Sequence, residues 1–201
     1  MRPTFQANAA FSLIELLIVV AVMGILIGIV LPHFQPPLSE QLHGAASIVA
    51  ADLEYARNLA VTNGSTYRTT FDLSGNRYVL THSGSNSVLD TLPSTPFRPP
   101  SDARDEHTCD LDELPHIGAT VHVHAVSEGV RTWKPVDDVE FGPLGGTTRS
   151  EPTTVWLQCG SGHDRRFLPL TISPTTGLVA VGEIQSADPA TQGSTISQTI
   201  P

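Results

Sequence analysis

Basic side chains are scarce in this chain. Lys and Arg together number 11 against 20 Asp and Glu, which gives a net charge of −9 over 201 residues. So acidic a chain gains little from the counterion release that drives binding to nucleic-acid phosphates, and any such contact would need a local basic patch. The familiar catalytic signatures are missing as well. The sequence has no Gly-x-Ser-x-Gly elbow, no phosphate-binding glycine loop and no zincin helix. Its scattered Ser, His and Asp residues spell out no triad, so neither an enzyme nor a cofactor is expected. No internal repeat is apparent. Cysteine is nearly absent, with Cys109 and Cys159 the two examples. They leave room for one disulfide or for two thiols, and only geometry decides whether a bridge forms.

One long apolar run is present, over residues 11–31, and it holds a single charge, Glu15. A helix of that length and character is expected to cross a bilayer. A carboxylate near the end of such a helix is costly to keep, which calls for a partner. The leader at 1–10 is polar, with Arg2 its one basic side chain and the small residues Ala7, Ala9 and Ala10 leading into the run. Past Leu31 come Pro32, His33, Phe34 and Gln35, which do not form a small-residue cleavage site. Cleavage between Ala10 and Phe11 would therefore keep the helix and create a positive amino group at Phe11. Gly24 and Gly28 make a Gly-x-x-x-Gly pair that allows close helix approach in lipid, although tolerated glycines read the same way. Pro32 removes a backbone donor and weakens the end of the helix.

Hydrophobic residues make up 40% of the chain, enough for a globular domain, and the length suits one anchor plus one soluble domain. After Pro36 and Pro37, Ser39 is a candidate helix cap. Leu42, Ala45, Val49, Leu53, Ala56 and Ala60 then recur at spacings of three and four, one apolar stripe that Asn63 and Gly64 should end. Residues 66–71 and 77–81, with Ser74, Gly75 and Asn76 between them, read as a β-hairpin. Residues 83–115 read as an irregular stretch rich in Ser, Pro and Asp. Further strands are predicted over 119–126, 139–141, 153–158, 166–172 and 178–181. The predicted organisation is a leader (1–10), a transmembrane helix (11–31), a linker with an amphipathic helix (32–64), a β-rich domain beyond the anchor (65–182) and a polar tail (183–201).

The segment from Ala10 and Phe11 through Ser12, Leu13, Ile14, Glu15, Leu16 and Leu17 resembles the processing site of type IV pilins and of secretion-system pseudopilins. Residues 53–61 with the hairpin, and residues 139–146 and 171–179, are similar to the H-type pseudopilins of type II secretion and the FimT minor pilins. The resemblance implies an α+β fold, a long amino-terminal helix packed on an antiparallel β-sandwich-like domain. It implies cleavage at Ala10, where the family usually has Gly, and methylation of Phe11 by a prepilin peptidase and methyltransferase. Glu15 becomes an assembly residue that pairs with the amino terminus of a neighbour. Expected partners are other pseudopilins or minor pilins, the assembly platform and the inner membrane itself, with the β-domain in the periplasm, where a Cys109–Cys159 bridge would persist. The leading expectation is a minor pseudopilin of a type II secretion pseudopilus or its tip complex. The alternative is a FimT-like minor pilin of a type IV pilus. DNA-binding members carry a Gly and Arg-rich motif near Arg165 and Arg166, but here His163 and Asp164 interrupt it, and nucleic acid is not expected as a partner.

Two metal readings are weighed and set aside. His122 and His124 alternate on a predicted strand and, with His107, Cys109 or His116, offer zinc-type ligands without a zinc spacing. Asp102, Asp105, Asp110, Asp112 and Glu113 do not follow the EF-hand pattern and read as a solvated acidic loop. A membrane-anchored enzyme or metal-binding domain remains the distant alternative.

Overall fold

The computed structural model describes residues 12–30, 37–93, 103–114, 117, 120–129 and 133–190. The chain divides into two compact units, Met1–Pro37 and Leu38–Pro201. In the first, Leu13–Val30 forms helix α1. Among the described residues no helix is long and apolar enough to cross a membrane. As described, α1 has 18 residues and so extends about 27 Å, against a hydrocarbon core of about 30 Å. Positions 11 and 31, which complete the apolar run, lie outside the described residues, as does Pro32.

The second unit is built on α2, Leu38–Asn63. Its apolar stripe is buried as its spacing predicts: Leu42, Ala45, Val49, Leu53, Ala56 and Ala60 are all fully covered, joined by Ala46 and Leu59. The helix begins one residue ahead of Ser39, so Ser39 lies within its first turn. Its other end is a two-bond glycine cap. The Ser65 amide donates to the Ala60 carbonyl (3.1 Å) and the Gly64 amide to Val61 (3.4 Å), with Gly64 left-handed at φ +58°. Each large aliphatic on the stripe contributes about 1.5–3 kcal/mol by leaving water.

Two antiparallel sheets share that stripe. The first has the order β3-β2-β1-β6 and the second β5-β4-β7-β8-β9. The predicted hairpin is present as β1, Tyr67–Asp72, and β2, Arg77–His82, paired from Tyr67↔His82 to Asp72↔Arg77. The stretch predicted to be irregular contains a strand, β3 (Glu106–Asp110), at the edge of the first sheet, and a short 3-10 turn at Ser87–Leu89. Strand β4 is Val121–Glu128, β5 Lys134–Pro135, β6 Asp138–Phe141, β7 Thr153–Cys159, β8 Arg166–Ile172 and β9 Val179–Val181. Period-two burial is clearest in β7, where Thr153, Val155, Leu157 and Cys159 face the core.

Three polar devices hold these parts in register. Arg57, off the apolar stripe of α2, donates from Nε to the carbonyls of Gly145 (3.1 Å) and Thr176 (2.7 Å). Those loops also touch each other: Thr147 donates to Pro174 (2.8 Å), and a Cβ on Gly177 would lie 2.1 Å from the Gly145 oxygen. Asn76 bridges the sheets from the β1–β2 turn. Its Nδ2 donates to Asp112 Oδ1 (2.6 Å) and the Val121 carbonyl (3.0 Å), and its Oδ1 accepts from the Val123 amide (3.0 Å). An ion-pair chain runs from Arg68, on β1, through Asp138 (3.2 Å) and Arg149 to Glu128 at the end of β4 (3.8 Å). Past Gly182 the chain stays on the domain. Gln185 bridges Phe167, Asp188 meets His124 at 3.2 Å, and residues beyond Ala190 lie outside the described set.

Candidate assembly site

Glu15 lies in the first turn of α1, where the amides of Glu15 and Leu16 both donate to the Ser12 carbonyl at 3.1 and 3.2 Å. An acid there complements the positive end of the helix dipole. That role alone does not account for its surroundings. From Leu13 to Ile27 every side chain of α1 is exposed, with Leu13 83% and Ile14 66% accessible. A helix apolar on all sides is the kind that lies in lipid or among other helices. Glu15 is thus the one ionisable group on a surface made for apolar neighbours. Ala10 and Phe11, the predicted cleavage pair, fall outside the described residues.

The remaining predicted residues are dispersed. No disulfide joins Cys109 and Cys159. Cys109 is on β3 beside the Tyr78 hydroxyl, while the buried Cys159 ends β7 in the other sheet, near Thr120 and the Gly160 amide. Burial pushes the Cys159 thiol up from its ordinary value. Arg165 and Arg166 follow a short 3-10 turn, Gly162–Asp164, and use their guanidinium groups on backbone carbonyls: Arg165 on Gly162 (3.4 Å), Arg166 on His163 (3.4 Å) and Arg165 (2.8 Å). His124 meets Asp188, and His107 is 3.9 Å from Asp52, while His116 and Asp102 are outside the described residues. Among the described residues no three His, Cys, Asp or Glu side chains gather as a metal site.

The structure also assembles groups that carry no sequence signal. Tyr78 donates its hydroxyl to Asp52 Oδ2 at 2.6 Å, and burial, then the Asp52 carboxylate, push that hydroxyl far above its ordinary value, so it stays a protonated donor. Ser65, His82 and Asp90 form a hydrogen-bonded series: Ser65 Oγ to His82 Nε2 at 2.7 Å and His82 Nδ1 to Asp90 Oδ1 at 2.7 Å. The sequence offered no triad because these residues come from a helix end, a strand end and a short turn, with no fixed motif around any of them.

Residues 6–31 match the family model of the prokaryotic N-terminal methylation motif. No curated protein matches the chain. Among solved structures, the type IV minor pilin FimU of Pseudomonas aeruginosa is similar at 19% identity, over 70% of this chain and 92% of that one, with a TM-score of 0.44. The minor pseudopilin EpsH from the type 2 secretion system of Vibrio cholerae is similar at 10% identity, over 74% of this chain and 99% of that one, with a TM-score of 0.48.

Proposed function

We propose that the chain is a minor pilin-like structural subunit, anchored in the inner membrane through residues 11–31, with its β-domain in the periplasm. One observation carries this reading: a methylation motif over residues 6–31 opens a helix that is apolar all round except for Glu15 in its first turn. Cleavage at Ala10 would leave Phe11 with a positive, methylated amine. At an effective dielectric of about 20, opposite unit charges 4 Å apart attract by about 4 kcal/mol, whereas an unpaired charge in an apolar site is penalised. Glu15 of one subunit would then select the neighbour whose Phe11 amine sits in register. The filament is the pseudopilus of a type II secretion system or its tip complex. The second reading, a minor pilin of a type IV pilus that contacts DNA, has the Arg165–Arg166 pair in its favour, with Arg165 exposed.

Two measurements in the native host test the proposal. The amino-terminal peptide should begin at Phe11 with one added methyl group, and recovery chiefly of peptides that retain residues 1–10 would exclude processing. With membrane levels matched, Glu15→Ala should leave the β-domain folded but lower crosslinking into the filament about tenfold or more, from the loss of a pair worth over 1.4 kcal/mol. Equal crosslinking of variant and wild type would remove Glu15 from assembly.

A further inference from the structure

We propose that residues 185–190 are a latched strap that guards the edge of β8, held shut by Asp188 on His124 and opening as a unit while both sheets stay folded. The strap covers a side chain buried outside the main core. Phe167 is 1% exposed, yet that core takes Leu168, Leu170 and Ile172 from the same strand and not Phe167. Successive strand residues face opposite sides, so Phe167 lies on the outer face of the second sheet, where burial requires a covering segment.

The chain after β9 supplies that cover. Strand β9 pairs with β8 from Leu170 to Ile172, and the Gly182 amide extends the ladder to the Pro169 carbonyl (2.8 Å). Ile184 packs against the main core and fixes the root of the strap. Gln185 then takes both backbone groups of Phe167, donating to its carbonyl and accepting from its amide at 2.8 Å each. Beyond it Ser186 and Ala187 are exposed, while Pro189 is buried. Asp188 reaches β4, its Oδ1 lying 3.2 Å from His124 Nε2 and accepting from the Ala190 amide (3.0 Å).

Strand β4 is shaped to meet it. Its register against β7 shifts between Val123 and Ala125, so His124 is the extra residue of a β-bulge. A bulge re-aims a side chain. Here the imidazole stands against the Phe167 ring at 5.0 Å and presents Nε2 to Asp188. Both latch side chains are partly exposed, at 22% and 30%, so the latch is weak. A weak latch on a rooted strap opens locally, well short of unfolding the sheets. Opening strips Phe167 of its backbone partners and bares its ring, which makes an edge ready to take another strand. Closed, the strap denies that edge to other chains.

Hydrogen exchange of the full chain in detergent, read at single amides, tests the opening. The Phe167 and Gln185 amides bond to each other's residue and should exchange together. They should run roughly tenfold or more ahead of Leu168 and Leu170, which pair with Leu157 and Val155 on β7. Asp188→Ala should speed the first pair about fivefold, the size of a part-exposed ion pair, and leave the second pair unchanged. Asp188→Asn keeps an oxygen acceptor for His124 and should restore most of the protection. Sedimentation of the same samples tests the guard. Asp188→Ala should self-associate at a concentration about fivefold lower than wild type, in step with its larger open population. Wild-type Phe167 exchanging no faster than Leu168 overturns the strap, and that result needs no variant. Equal acceleration of both pairs in Asp188→Ala is general destabilisation and overturns the latch. Faster Phe167 exchange with unchanged association overturns the guard. No readout depends on filament entry, so the outcome is independent of the Glu15 result.

Discussion

Replacing Asn76 by Ala removes one small side chain and should destabilise the domain more than the loss of most aliphatic side chains. Asn76 is 5% exposed and holds a left-handed backbone at φ +48°, which Asn and Gly accept far better than Ala does. The variant leaves the Val121 carbonyl and the Val123 amide without the partners they have at 3.0 Å. An orphaned buried backbone group costs about 1–3 kcal/mol, and a left-handed Ala adds about 1 kcal/mol. Asp112 faces solvent, so its lost bond adds little. The expected total is about 4 kcal/mol, a large part of the roughly 5–15 kcal/mol that holds a domain together. For a domain of this size it would lower Tm by about 8–16 °C. Denaturant unfolding followed by fluorescence of Trp133 and Trp156 measures it. Asn76→Gly relieves the backbone but not the hydrogen bonds, so it should fall about 1 kcal/mol short of the Ala variant. A loss under about 1 kcal/mol for Asn76→Ala, or wild-type stability for Asn76→Gly, would refute the reasoning.

Arg57→Lys keeps the charge but cannot hold Nε between the Gly145 and Thr176 carbonyls, and should cost about 2 kcal/mol in the same unfolding assay. Cys159 should resist iodoacetamide in the native chain, since burial raises its thiol, and unfolding without reductant should expose both cysteines to alkylation; a linked Cys109–Cys159 peptide would contradict the structure. Asp72 is held below the ordinary carboxylate range, first by the Ser74 hydroxyl and then by the Gly75 amide. Its folded-state pKa is depressed, so its contribution is complete above the unfolded value and is lost as pH falls through the lower folded value. Asp72→Asn should flatten that acid limb in a pH-dependent melting series.

Legibility in the sequence followed the strength of local patterns. The α2 stripe was readable because Leu42, Val49 and Leu53 recur at helical spacing, and the Asn63–Gly64 stop because glycine tolerates the left-handed cap. Strand β7 was readable because one of its faces is apolar. Strand β3 was not, because Glu106, His107, Thr108, Cys109 and Asp110 are polar and their pairing to β2 comes from the tertiary fold. Asn76 read only as a turn residue, since its reach to β4 joins positions far apart in the chain. In the candidate site, Glu15 stood out as one charge in an apolar run, whereas the Ser65, His82 and Asp90 series depends on elements converging in space.

The order of strands in the first sheet has a consequence during synthesis. Strand β1 has β2 on one side, made at once, but on its other side it waits for β6, and Phe141 emerges roughly seventy residues after its partner Tyr67. At about 5–20 residues per second the ribosome needs roughly 4–15 s to cover that distance. Through that interval the nascent chain presents an open strand edge to its surroundings. The folding problem for this protein is therefore one of timing, and factors that shield strand edges as the chain emerges should govern how much of it reaches the folded state.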